Sequence, residues 1–596
     1  MGVSPTIEMC IFGRDITEPR PSPDGKSVIY LSRSSGEMTS FVEVDVDGKN
    51  EVVRDVDSPA ASGRGGSGGV WCWYSEDEAI VYVAQNGSLR FWPDRTSPST
   101  VELAAPEKTI ESPVALPERE AVVVTSDRGS VWLVPINGDQ AERLDSGDHD
   151  FCADPAVMRD SNGVAVLWQA WSVPNMPWDH SVQVRCDLDR RGCEVVEGSG
   201  QQQQITPTER GVLVLRDDTG WLNLWCDNEV LIADGVEHGG PSWGASQRSF
   251  AVSPDEAYLA FTRNVGGFGE LCVASIDSRE SVVIGRGVHH QVHWGTAGIS
   301  ALRSGARTPH QLVLYSIGEE GVVLNSSDWK RAILATGPAK EWSEVELTEP
   351  TLEMVDVNGV QIPFRRYAAG QGRCLVHIHG GPTDQWQVEF MPRAAYWQSR
   401  GWDVIIPDPR GTTGHGRSFT QSLRGGWGRR DVDDVAAVIA ECHRRGWATA
   451  SSTVVMGSSS GGMSVLGVVI DHPETVAGGI ALYPVSDAAA LAGATHRFEA
   501  HYNDSLIGRV GDPAFAERSM IGRASAIRRP LLLMHGSDDP VVPVEQSRTL
   551  RDRLTENEVS VTYEEFEGEG HGFRQPENRR REYELIESFL NSLTPE

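Results

Sequence analysis

The chain has 596 residues, 39% of them hydrophobic and 23% charged, too long for one hydrophobic core and too apolar for a disordered protein. A formal net charge of −31 and a pI near 4.9 argue against nucleic acid as a partner. Nine cysteines, an odd number with no C-x-x-C pair, favour neither a zinc site nor a disulfide framework.

The start of the chain, MGVSPTIEMC, lacks the basic and apolar blocks of a signal peptide, and no apolar run approaches the ~18 residues of a membrane span. Cytoplasmic is therefore the expected location, with no membrane partner. A strand-like core then recurs along the first 340 residues. It reads SVIYLS (27–32), AIVYVA (79–84), AVVVTS (121–126), AVLWQA (165–170), GVLVLR (211–216), YLAFTR (258–263) and GISALR (298–303). Successive starts lie 40 to 52 residues apart, and most copies lead through a Gly, Asp or Asn turn into a second strand such as GSLRFW. That period fits one four-stranded blade per repeat, so the count predicts a β-propeller of about seven blades. Most Trp and Tyr residues here are expected in blade cores. The segment WQAWSVPNMPWDHSVQVRC (168–186) stands out by lengthening its repeat. A hinge is expected near GPAKEWSEVELTEP (337–350).

Beyond the hinge the pattern changes to strands alternating with helices. RCLVHIHGGPTDQW (373–386) gives a strand, Cys374 to Ile378, ending in His379-Gly380-Gly381-Pro382, a turn whose N–H groups can face a developing oxyanion. STVVMGSSSGGMSVLG (452–467) sets three serines between glycines, with a β-branched strand before them and an apolar helix after. Only the register Gly457-Ser458-Ser459-Ser460-Gly461 fits a G-x-S-x-G elbow, which puts Ser459 at the tip as nucleophile and the N–H of Ser460 beside Gly381 in the oxyanion hole. A nucleophilic serine needs a base, and the base an orienting acid, here in the chain order Ser, Asp, His. The strand from Leu531 to Met534 runs into a loop with Asp538 and Asp539, and the strand at 559–566 into a Gly-rich loop with His571. Side chains on such loops converge on one edge of a parallel sheet.

These residues carry a resemblance. HGGP (379–382), PRGTTGHGRSF (409–419), GGWGRRDVDDV (425–435), GSSSGG (457–462), HGSDDPVVPVEQS (535–547) and GEGHGF (568–573) resemble, in order and spacing over roughly 220 residues, the catalytic domain of the prolyl oligopeptidase family of serine peptidases. NMPWD (175–179) and DDTGWLNLW (217–225) resemble that family's propeller. The family's HG-x-x-D spacing selects Asp539, with Asp538 the runner-up. YPVSDAAALAGATHRFEAHY (483–502) is similar to the segment lining the specificity pocket, which offers Tyr483, Thr495, His496 and Phe498 as substrate-binding candidates, together with His379. Two positions depart from the pattern: many relatives have Tyr where this chain has Ser460, and Arg or Asn where it has Val541, a position that usually holds the substrate backbone.

The expected architecture is a seven-bladed β-propeller at 1–340 and an α/β-hydrolase at 341–596, the first few N-terminal residues packing on the latter. The resemblance implies a serine peptidase of short peptides, of acylaminoacyl or dipeptidyl peptidase type, with no metal or cofactor and with homo-oligomers open. The alternatives are a hydrolase of non-peptide amides or esters and an inert propeller binding protein.

Overall fold

Each of the seven apolar runs forms the second strand of a four-stranded antiparallel sheet. The computed structural model describes residues 3–35, 37–62, 67–75, 78–106, 109–190, 192–196, 198–318 and 324–593. Within them the seven sheets follow one another along the chain, each built from four consecutive strands.

Why the second strand reads as a continuous apolar run follows from what covers it. Successive side chains of a strand point to opposite faces, and both faces of a blade are packed. In blade one, Ile29 and Leu31 join Trp71, Ile80 and Tyr82 of blade two. Their neighbours Val28 and Tyr30 join Leu302, Leu312 and Leu314 of blade seven. Equivalent clusters join blades two and three, three and four, four and five, five and six, and six and seven. The ring closes between blades seven and one without strand exchange, since each keeps its own four strands. A bridge between Gly13 and Pro338 and the bond from Arg14 N–H to Gly337 O (2.9 Å) tie the two chain ends of the ring.

The lengthened segment of blade four buries its largest apolar residues, Trp171, Met176 and Trp178, and Trp178 lies 4.5 Å from the Trp243 ring. In the same blade Cys186 and Cys193, opposite each other across a hairpin, are joined as a disulfide, while the other seven cysteines are in none. No sequence spacing pointed to that pair.

Two compact units result. One comprises Gly13–Pro338 with Gln387–Phe390; the other comprises the described residues up to Phe12, Ala339–Trp386 and those from Met391 onward. In the second, the helix Ile7–Ile11 is held by Trp342 Nε1 on Met9 O (2.8 Å) and by Arg579 on Cys10 O (2.7 Å) and Ile11 O (3.0 Å).

The second unit is organised by one eight-stranded sheet. Its strands in chain order are β1 (Thr351–Val357), β2 (Val360–Tyr367), β3 (Cys374–Ile378), β4 (Asp403–Pro407), β5 (Thr453–Ser458), β6 (Gly478–Leu482), β7 (Leu531–Gly536) and β8 (Val561–Phe566). Their spatial order is β1-β2-β4-β3-β5-β6-β7-β8, antiparallel over the first three and parallel from β4 to β8. This is an α/β-hydrolase sheet. The chain moves outward from β3 to β4 on one side and to β5 on the other. Loops leaving β3 and β5 therefore part at a topological switch, where a crevice forms at the carboxyl ends of the strands.

Candidate active site

The switch brings the two glycine-rich turns of the sequence together. Between β5 and the helix Ser460–Asp471 stands the single residue Ser459, with φ 54° and ψ −121°. A residue bearing a Cβ pays strain in that conformation. Three glycines make the turn possible. A Cβ on Gly457 would lie 2.5 Å from Gly461 O, one on Gly461 2.5 Å from His379 O, and one on Gly462 2.7 Å from Pro484 Cβ. The strained residue is held by its own N–H on Leu482 O (3.0 Å) and by Met463 N–H on its carbonyl (3.1 Å). Serine at a helix start usually caps the first turn. Here the Ser459 side chain makes no capping bond, so its hydroxyl stays available.

Ser458 is half-buried, whereas Ser460 is buried with its hydroxyl accepting Trp427 Nε1–H at 2.9 Å. The Ser460 N–H belongs to the first turn of the helix, where backbone donors have no intrahelical acceptor. A Cβ on Gly380 would lie 3.5 Å from Ser459 Cβ, so the turn after β3 rests directly against the elbow. Gly381 follows at φ 115°. His379 differs from expectation. Its ring is 3% exposed, with Nδ1 2.6 Å from Gly380 O and Nε2 2.8 Å from Thr412 Oγ1, so it braces the turn and does not face a substrate. Tyr502, at the end of the segment 483–502, adds a second brace by donating to Thr383 Oγ1 (2.6 Å) and accepting Thr383 N–H (3.1 Å).

The loops after β7 and β8 supply the acid and the histidine. Asp539 Oδ1 accepts the N–H groups of Val541 (2.8 Å) and Val542 (2.9 Å), and Oδ2 accepts from His571 Nδ1 at 2.7 Å. His535 Nε2 lies 3.4 Å from Oδ2. Burial alone would raise this carboxyl, but the bonds from His535, His571 and the backbone hold it well below the usual carboxylate range. Asp538 is exposed and takes its contact from Ser537 Oγ (2.9 Å). Val541 contributes through its N–H. Gly536 lets the two loops meet, because a Cβ there would lie 2.3 Å from Glu569 O.

Glu569 was not singled out by the sequence. It is 3% exposed and accepts Arg574 N–H (2.9 Å), Gln575 N–H (2.8 Å) and Asn578 Nδ2–H (2.9 Å), which folds the His571 loop onto the start of the C-terminal helix. The family-like GGWGRRD stretch also gains a physical reading. Asp431 accepts Gly428 N–H (2.7 Å) and Ser464 Oγ–H (2.6 Å), tying its loop to the helix behind Ser459. Burial pushes the Asp431 carboxyl up to about 6.

Of the pocket candidates, Tyr483 sits at the site: its ring is 4.6 Å from His571 and 5.7 Å from Phe573, at φ 36°. Burial pushes its phenol up to about 12. Thr495 closes the helix Ala488–Ala494, His496 is exposed beside Glu499 (3.3 Å), and the Phe498 ring is 6.4 Å from that of His496. The ring contact with His571 is made by Tyr483, whereas His496 lies beside Glu499 and Phe498.

Residues 388–595 match the profile of the prolyl oligopeptidase family. That match spans most of the second unit. Dipeptidyl aminopeptidase BIII of Pseudoxanthomonas mexicana is 31% identical over 220 residues, 36% of this chain and 32% of that enzyme. The acylamino-acid-releasing enzyme of Rattus norvegicus is 26% identical over 484 residues, 79% of this chain and 61% of the relative. The chain thus spans about a third of the length of the first of these two curated relatives. Among solved structures, a Mycobacterium tuberculosis puromycin-hydrolyzing peptidase superposes with a TM-score of 0.87 at 22% identity, covering 100% of this chain and 97% of that one. Pyrococcus horikoshii acylaminoacyl peptidase follows at 0.74 and 15%, covering 99% and 97%. These likenesses extend the shared fold over the propeller as well.

Proposed function

We propose that the protein is a serine peptidase that hydrolyses amide bonds of short peptides through Ser459, His571 and Asp539. The observation that carries this reading is the 2.7 Å bond from His571 Nδ1 to a carboxylate held in its charged form, at the same sheet edge as a strained, uncapped serine. With Nδ1 committed to Asp539, Nε2 is the nitrogen left to take the Ser459 proton as Oγ attacks the amide carbon. The tetrahedral oxyanion is received by the N–H groups of Gly381 and Ser460. The imidazolium, stabilised by Asp539, then donates its proton to the leaving amine. An acyl-enzyme on Ser459 remains, and water activated by His571 releases it. None of these steps requires a metal or cofactor.

A second reading is kept by Val541. Where many family members place a side-chain donor for the peptide backbone, this chain offers a valine whose N–H is already bonded to Asp539. Small aminoacyl amides that need fewer backbone contacts then become candidates, among them puromycin, which the Mycobacterium neighbour hydrolyses. One experiment separates the two: cleavage rates for matched peptides with free, acetylated and N-terminally extended ends, with puromycin alongside. Turnover of peptides supports the first reading. Turnover of puromycin or small esters with no peptide cleaved supports the second, and no hydrolysis of any of them refutes both.

A further inference from the structure

The propeller axis holds a cluster of charged groups that peptide hydrolysis does not use. In each blade one residue of the innermost strand, or of the turn entering it, is left-handed: Glu18, Gly69, Ser112, Asp154, Gln204, Ser246 and Gln291, with φ between 48° and 91°. Several of these residues bond to one another around the ring. Val70 N–H donates to both Glu18 carboxylate oxygens (3.1 and 3.2 Å), and Ser112 N–H to Gly69 O (2.9 Å). Ser246 N–H donates to Asp154 Oδ1 (2.7 Å), Ser246 Oγ to Ser112 Oγ (2.9 Å), and Gln291 Nε2 to Ser246 O (3.0 Å). Gly68 of blade two reaches Ala245 of blade six (N–H to O, 2.8 Å). Blades that are not neighbours thus touch, so the axis is filled at this level.

Two residues beyond the left-handed position in blades one, six and seven stand Arg20, Arg248 and His293. Arg20 Nε, Arg248 Nε and His293 Nε2 are buried without a hydrogen-bond partner. The nearest carboxylate oxygen to Arg20 is that of Glu18, at 3.9 Å and beyond hydrogen-bond reach; Arg248 forms no ion pair with any described residue. Blades six, seven and one are consecutive around the ring, so the three stand at one register position on adjoining inner strands. Burial and then the Arg20 charge lower the Arg248 guanidinium to about 10, and burial, Arg248 and Arg20 together hold the His293 ring well below its ordinary value.

The acids nearby compensate only in part. Asp154 is engaged by Ser246 N–H and Ser112 Oγ (3.3 Å), and burial raises its carboxyl. Burial pushes the Glu18 carboxyl up to about 7, so near neutral pH much of its charge is gone. A guanidinium Nε buried without an acceptor is costly, and buried polar atoms left unpaired at one level of the axis call for a bound group. Arg20 and His293 also belong to the two blades flanking the ring closure, where no strand is exchanged, and Arg248 to the blade next to them.

We propose that Arg20, Arg248 and His293 form an oxyanion-binding site at the propeller axis, which takes a phosphate or a carboxylate and clamps blades six, seven and one together. The test is thermal unfolding of the full chain in inorganic phosphate, in acetate and in sodium chloride of equal ionic strength. A ligand bound only by the folded state raises Tm saturably. The expected result is a saturable rise in phosphate or acetate beyond that in chloride, the more effective of the two naming the class. Arg248→Met should abolish the rise, and in anion-free buffer should be at least as stable as the wild type, because an uncompensated charge has been removed. Equilibrium dialysis of the wild-type protein against labelled phosphate and labelled acetate reads the same site without any variant, and close to one anion per chain is expected. Binding of neither anion at millimolar concentration, or a rise that Arg248→Met leaves unchanged, overturns the proposal.

Discussion

Replacing Asp539 by Asn changes one atom and leaves the shape of the site intact, so its effect can be worked from the contacts. The new amide can place its NH2 group at either former oxygen position. At the Oδ1 position it would confront the N–H groups of Val541 and Val542, which now donate at 2.8 and 2.9 Å. Leaving two buried donors unsatisfied costs roughly 1–3 kcal/mol each. The NH2 group therefore takes the Oδ2 position and points at His571 Nδ1, 2.7 Å away. Nδ1 must then accept, which moves the ring proton to Nε2, the nitrogen required to receive the Ser459 proton. Turnover should fall by about 10⁴, equivalent to roughly 5.5 kcal/mol of transition-state stabilisation. Asp538→Asn alters only an exposed carboxylate bonded to Ser537 and should stay within about tenfold, the scale of a ~1.4 kcal/mol effect. The assay is kcat on the best substrate from the cleavage profile, with Tm recorded for both variants. A loss under tenfold in Asp539→Asn with unchanged Tm, or a larger loss in Asp538→Asn, would refute the reasoning.

Three further outcomes follow from the same geometry. Gly461→Ala places a Cβ 2.5 Å from His379 O and 2.6 Å from Ile378 O, both backbone atoms; the purified variant should lose activity and show a lowered Tm, whereas Ser458→Ala should keep both. Glu569→Gln turns one acceptor of three hydrogen bonds into a donor, so about 1–3 kcal/mol of stability in urea unfolding and part of kcat should be lost. Asp431 is a carboxylic acid whose folded pKa of about 6 lies above its ordinary 3.8. The folded state then binds the extra proton, and its contribution to stability is fully present below about pH 4 and lost as pH rises through 6. Asp431→Asn should lack that loss, so urea unfolding at pH 4.5 and 7.5 should show the variant gaining on the wild type by roughly 2 kcal/mol. A constant difference across that range would contradict the assignment.

The second strand of every blade was legible because burial on both faces leaves it few polar positions, as in Val28 to Leu31. Outer strands such as Val101–Glu102 were not, being two to four residues long and mostly exposed in several blades. The elbow was legible because its constraint is local: three glycines within six residues are set by contacts to the two turns around them. The choice between Asp538 and Asp539 rested on family spacing, since adjacent acids look alike until one is buried against a histidine. Glu569 was hidden for the same reason, in a loop that also holds Glu567. His379 reads as a substrate contact in the sequence because its turn faces the site, yet a ring on a buried strand end packs inward. Left-handed non-glycine residues such as Glu18 and Gln291, and the Cys186–Cys193 pair, depend on strand register and blade packing, which no linear pattern records.

The central claim is that Ser459 is the nucleophile, and labelling the native protein with a fluorophosphonate tests it most directly. After digestion, peptide mass mapping should find one adduct per chain on Ser459, and Ser459→Ala should take up no label while Ser458→Ala and Ser460→Ala still do. Label on a different serine, or label that persists in Ser459→Ala, would contradict the account.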